Sequence, residues 1–204
     1  MIQHELRNPV FYAKTGHIMV LVVLQQLITI GINFLDNVMV GSFGEVQISA
    51  VAFGNQFYSF FQFVLMGLGS GAIVMSSQCW GRREYGSMRE IAAIALRLTF
   101  VLCAVFTLVT ALFPGAVLRF FTDDGEIIRT GELYMRLVAF TFLPSGLVST
   151  ATSLLRSAGR VGVPLIGSSI AFFLNFFFNW VFIFGKLGAP RLELVGAAVG
   201  TVIA

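Results

Sequence analysis

Long uncharged apolar runs alternate with short polar segments along this chain. Crossing the hydrocarbon of a bilayer takes roughly 20 apolar residues. Five runs reach that length, at about 17 to 40, 49 to 79, 91 to 113, 133 to 155 and 161 to 184. A sixth begins at Leu194 and is still apolar at Ala204. The separators "VGSFGEVQIS", "WGRREYGSMRE", "FPGAVLRFFTDDGEIIRT", "RSAGRVGVP" and "FGKLGAPRLE" combine Gly or Pro with charges and read as turns. The third has room for a short interfacial piece, Gly115 to Phe121. The pattern predicts an all-α integral membrane protein: a polytopic helical bundle with five complete transmembrane helices and the start of a sixth.

Polar positions inside the runs fall into stripes. A helix turns about 100° per residue, so Gln25, Thr29, Asn33 and Asp36, spaced four, four and three apart, share an arc of roughly 80°. Asn55, Ser59 and Gln62 repeat the device in the second run, Thr141, Ser145, Ser149 and Thr152 in the fourth, and Ser168, Phe172, Asn175 and Asn179 in the fifth. Polar groups cannot be satisfied by lipid, so such stripes point into the bundle or a wet cavity. Ser and Thr bond readily to the preceding turn of their own helix, and packing accounts for the fourth-run stripe and for Thr99, Cys103, Thr107 and Thr110. Amides carry more donors and acceptors than a helix backbone absorbs. Asn33, Asn55, Gln62, Asn175 and Asn179 are therefore the cavity candidates.

Composition agrees: 57% of the 204 residues are hydrophobic and 11% charged, against about a quarter charged in a soluble domain. Basic residues stay with cytoplasmic loops. A cytoplasmic N-terminus puts Arg7, Lys14, Arg82, Arg83, Arg89, Arg156 and Arg160 inside, against Arg119, Arg129, Lys186 and Arg191 outside. Cys79 and Cys103 have no metal-ligand spacing and read as packing residues. The glycines of "LMGLGSGA" lie deep in a span, where close helix contact or local flexibility explains them better than a nucleotide loop. Nucleic acid has no support as a partner.

Asp36 is the exceptional position. A carboxylate near a helix centre costs about 2.5 to 3.5 kcal/mol on insertion scales, which demands a partner or a proton. The basic residues within spans, Arg97 and Arg136, sit near helix ends and can snorkel. Desolvation favours the protonated carboxyl and a bound cation favours the ionised one, so a single group can exchange a proton for another cation.

Several of these stretches resemble the multidrug and toxic compound extrusion (MATE) family. "VLQQLITIGINFLDNVMVGSFGEVQISAVAFGN" is similar to its first helix and loop, "MGLGSGAIVMSSQCWGR" to its second-helix signature, and "LLRSAGRVGVP" to its fourth loop. "FFLNFFFNWVFIFGKLG" with "LVGAAVGT" resembles its fifth helix and the start of its sixth. The resemblance implies two six-helix lobes around a central cavity, with residues 1–204 as the amino-terminal lobe, truncated within helix six, and the carboxy-terminal lobe absent. It implies an antiporter in the cytoplasmic (inner) membrane, exporting cationic or amphipathic organic compounds against protons or sodium, with no other cofactor. The family's cation site carries over to Asp36, Asn175, Asn179 and Thr201, with Asp36, Asn175 and Asn179 as possible sodium ligands. Some branches have a carboxylate where this chain has Asn179, and many have a helix-bending proline where it has Leu21.

The substrate cavity is expected to draw on Gln25, Asn33, Asn55, Gln62 and Phe172, with Phe57, Phe61 and Phe176 as further aromatic contacts. Alternatives are a lipid-linked glycan flippase of the wider superfamily and a non-transporting membrane scaffold. The flippase would need basic residues in the cavity, which the stripes lack, and a scaffold would not need Asp36. An enzyme is not expected, because His4 and His17 both lie at the amino end.

Overall fold

A computed structural model describes residues 9–40, 44–185 and 193–203; some side chains within its helices, Asn33 and Asp36 among them, lie outside the described residues. Those residues form helices α1 (Pro9–Val40), α2 (Glu45–Gly81), α3 (Tyr85–Leu112), α4 (Pro114–Arg119), α5 (Gly125–Ser157), α6 (Gly162–Phe184) and α7 (Glu193–Ile203). Five of them, α1, α2, α3, α5 and α6, contain stretches long and apolar enough to cross a membrane. The helices outrun the apolar runs, because backbone hydrogen bonding continues past the hydrocarbon into the interface. The 37 residues of α2 span about 55 Å against a hydrocarbon core of about 30 Å.

Local chemistry sets the boundaries. α2 ends where Arg83 adopts a left-handed backbone, φ 60°. α3 stops at Phe113, because the residue before a proline is disfavoured in helical geometry, and Pro114 then opens α4 at a position that needs no N–H. α4 occupies the interfacial stretch expected from the sequence. The Asp124 carboxylate caps α5, accepting from the Glu126 and Ile127 amides at 2.9 and 3.4 Å. Pro144 interrupts the hydrogen-bond ladder within α5. Beside it the Ser145 hydroxyl donates to the Thr141 carbonyl at 2.6 Å, and that of Thr141 to Val138 at 2.7 Å. These hydroxyls are absorbed by their own helix, as the packing reading expects.

Two helix groups make the bundle. α2, α3 and α5 pack together with α4 laid against α5, while α6 packs against both α1 and α7; α5 and α7 join the groups. In the first group Phe61, Leu65, Cys103, Ala139 and Phe142 form a buried cluster, with the Phe61 and Phe142 rings edge to face at 4.7 Å. Gly146 makes this close approach possible, since a Cβ there would overlap the Cys103 sulfur. Phe61, 0% exposed, belongs to this core, which corrects its reading as a substrate contact, while Phe57 packs against the cluster and is only partly buried: periodicity cannot separate an aromatic ring facing a core from one facing a cavity. Thr99 and Thr150 share a buried hydrogen bond of 2.7 Å between α3 and α5.

The glycine-rich stretch of α2 divides on the question of close contact. Only Gly69 of the three makes a close helix contact, its hypothetical Cβ lying 3.0 Å from the Ser153 hydroxyl, whereas Gly67 and Gly71 face open space.

Candidate functional site

The polar stripes of α1, α5 and α6 converge on Gln25. Its amide nitrogen donates to the Ser168 hydroxyl at 3.1 Å, and its amide oxygen accepts from an Arg156 terminal nitrogen at 2.7 Å. Gln25 is buried, 7% exposed, so one amide ties α1 to two other helices away from water. Arg156 counts as a loop charge in the sequence reading, and its guanidinium instead turns into the bundle. The signal was available, because Arg156 follows Thr152 by four residues and extends the α5 stripe.

Farther along α6, the Asn179 amide nitrogen donates to the Asn175 amide oxygen at 3.1 Å. The pair is 0% and 3% exposed. Spacing of four brings the two side chains onto one face, as expected for helical neighbours. On α7, Gly200 lies directly against Asn179, and a Cβ there would overlap the amide oxygen. Gly196 meets the Phe182 backbone, its hypothetical Cβ 2.7 Å from the carbonyl carbon. Two glycines one turn apart thus let α7 ride close against α6 and bring Thr201, half-buried, next to the Asn179 contact.

Register connects these levels. Gln25 meets Ser168, and six residues on Gly31 packs against the Phe172 ring, with 3.4 Å from its hypothetical Cβ, so α1 and α6 run in the same direction. Asp36 lies eleven residues beyond Gln25, and Asn179 eleven beyond Ser168. The backbone register therefore carries positions 36 and 179 to one level, about 16 Å from the Gln25 node.

The remaining candidates lie apart. The Asn55 carbonyl accepts the Ser59 hydroxyl at 2.8 Å, and the Gln62 amide donates to the Tyr58 hydroxyl at 2.6 Å, both within α2. Phe172 is half-buried between α1 and Phe173. A separate cavity of about 670 Å³, walled by Phe57, Phe60, Phe63, Phe113, Phe120 and Phe121 between α2, α3 and α4, holds none of the polar candidates.

The MatE family model matches residues 22–181. The chain belongs to the MATE family. Family membership, rather than any missing catalytic group, sets enzymes aside, and it agrees with the bundle: this MATE chain is a multi-pass membrane protein whose environment is a lipid bilayer. It is 27% identical over 168 residues to the probable multidrug resistance protein NorM of Thermotoga maritima, covering 82% of this chain and 36% of that protein. It is 29% identical over 197 residues to the NorM of Halalkalibacterium halodurans, covering 93% and 42%. A solved structure described as the outward-facing conformation of a multidrug resistance MATE family transporter matches with a TM-score of 0.83 at 18% identity. That match covers 93% of this chain and 41% of the structure. The chain thus spans about two fifths of the length of the relatives it matches.

Proposed function

We propose that this chain forms the amino-terminal lobe of a cation-coupled antiporter, one that exports cationic or amphipathic organic compounds across the cytoplasmic membrane. Its N-terminus lies on the cytoplasmic side, the arrangement favoured by six basic residues against four once Arg156, turned into the bundle, is set aside. A second lobe, as in the longer relatives, would complete the cavity. The named relatives are described as multidrug resistance proteins, which supports the same reading.

The observation that carries this proposal is the shared level of Asp36 and the buried Asn175–Asn179 pair. Asp36 supplies the charge, and Asn175, Asn179 and Thr201 supply neutral oxygens of the kind a hard cation prefers. A proton or a sodium ion is the coupling species and acts as cargo. Binding alone does not drive export. The ion must favour one opening of the bundle over the other, and the level of Asp36, where α1 meets α6 and α7, gives ion occupancy a lever on how these helices pack. Phe172, half-buried against Gly31, lies between the Gln25 node and that level.

The experiment is exchange in proteoliposomes of the complete transporter with the sodium and pH gradients imposed separately. Dye export that follows either gradient supports the proposal. Export indifferent to both would overturn it.

A further inference from the structure

The Arg156 guanidinium carries its charge inward, onto Gln25. It offers five N–H donors. One nitrogen is bonded to Gln25 at 2.7 Å, and Nε is shut away from solvent with no acceptor. Among the described residues no carboxylate pairs with it. Asp36, the acid of α1, lies eleven residues beyond Gln25, about 16 Å along the helix. An unpaired charge inside a bundle is costly, and neutral Gln25 orients the fork without neutralising it. Gln25 is itself fixed by Ser168, so the fork is held in one direction. The Arg156 side chain is only half-buried and stays partly reachable. On α1, Leu21 and Ile28, four before and three after Gln25, share its face and are half-buried. A fixed guanidinium bordered by apolar side chains matches an amphiphile with an anionic end, and guanidinium forks suit planar oxyanions.

We propose that Arg156 is an anion-recognition point, pairing with the carboxylate or phosphate of an amphiphile that lies along α1. The amphiphile's being cargo rests on the transport reading above; its being bound through its oxyanion does not. A transported zwitterion and an anionic lipid share this chemistry.

The test uses the purified chain in phosphatidylcholine nanodiscs and two dyes, rhodamine 110 with a free carboxylate and rhodamine 123, its methyl ester. Fluorescence polarisation is expected to show rhodamine 110 binding about tenfold more tightly to the wild type, the order of one charge-assisted hydrogen bond. Arg156→Gln, which can still donate to Gln25, should bring that ratio close to one. Arg156→Lys, which keeps the charge and loses the fork, should retain part of it. A second arm replaces a third of the lipid with phosphatidylglycerol. Competition against rhodamine 110 in the wild type and none in Arg156→Gln identifies a lipid phosphate as an occupant, while carboxylate preference without competition identifies a soluble amphiphile. An unchanged dye ratio and lipid response in Arg156→Gln overturns the proposal, as does a wild type that distinguishes neither dye nor lipid. Circular dichroism of each variant confirms the helical fold. Asp36→Asn should keep the rhodamine 110 preference, so a failure of the antiport reading leaves this result standing.

Discussion

Gln25 on α1 and Ser168 on α6 are joined by a hydrogen bond of 3.1 Å, and that bond fixes the level at which the two helices meet. Counting eleven residues up each helix reaches Asp36 and Asn179. The bond therefore does more than hold two helices together. It sets the register of the only acid in α1 against a buried amide pair, with Arg156 drawn in at the lower end.

Gln25→Leu removes both hydrogen bonds at the node and leaves the Arg156 guanidinium without an acceptor. A buried donor stripped of its partner costs about 1 to 3 kcal/mol, so thermal unfolding in lipid should shift downward by that amount. Replacing both residues, Gln25→Leu with Arg156→Met, should cost less than the sum of the single changes, because the stranded charge is gone. Strict additivity would show that the two residues act independently.

Gly200 is the point of closest approach between α7 and Asn179. In Gly200→Ala the new methyl must displace the amide or push α7 outward, and forced overpacking costs about 1 to 3 kcal/mol. Lower thermal stability together with weakened ion-dependent exchange is the expected outcome. Normal exchange would place the ion site away from Asn179.

The three glycines of "LMGLGSGA" should separate on substitution. Gly67→Ala and Gly71→Ala meet open space, and exchanging Gly for Ala inside a helix gains up to about 1 kcal/mol. Gly69→Ala meets the Ser153 hydroxyl at 3.0 Å, so that side chain must give way and stability should fall. Unfolding curves of the three variants check the order; equal effects would contradict the packing described.

How much of this was legible in the sequence differs from residue to residue. Span length and turn chemistry marked the crossing helices, because hydrocarbon thickness sets a minimum run that composition cannot hide. Thr141 and Ser145 were read as hydroxyls satisfied within their own helix, and they are. The Asn175–Asn179 pair was visible as a spacing of four. Arg156 was legible as the next step of the α5 stripe, four residues after Thr152, but counting loop charges assigns a residue to water by its neighbours, while a long side chain in the last turn of α5 can bend back into the bundle. Gly69 could have been told from Gly67 and Gly71 by helical angle, since it faces about 200° away from them. Phe61 could not be told from a cavity-lining residue such as Phe57, because core and cavity walls are equally apolar.

The most direct measurement compares ion-driven dye export by the complete transporter carrying Asp36 with that by Asp36→Asn, in proteoliposomes with matched protein content. Asn keeps the shape of the side chain and removes its capacity to trade a proton for a cation, so driven export should fall to background while the helical content and thermal unfolding stay close to wild type. Export by Asp36→Asn at the wild-type rate would contradict the assignment of coupling to this carboxylate.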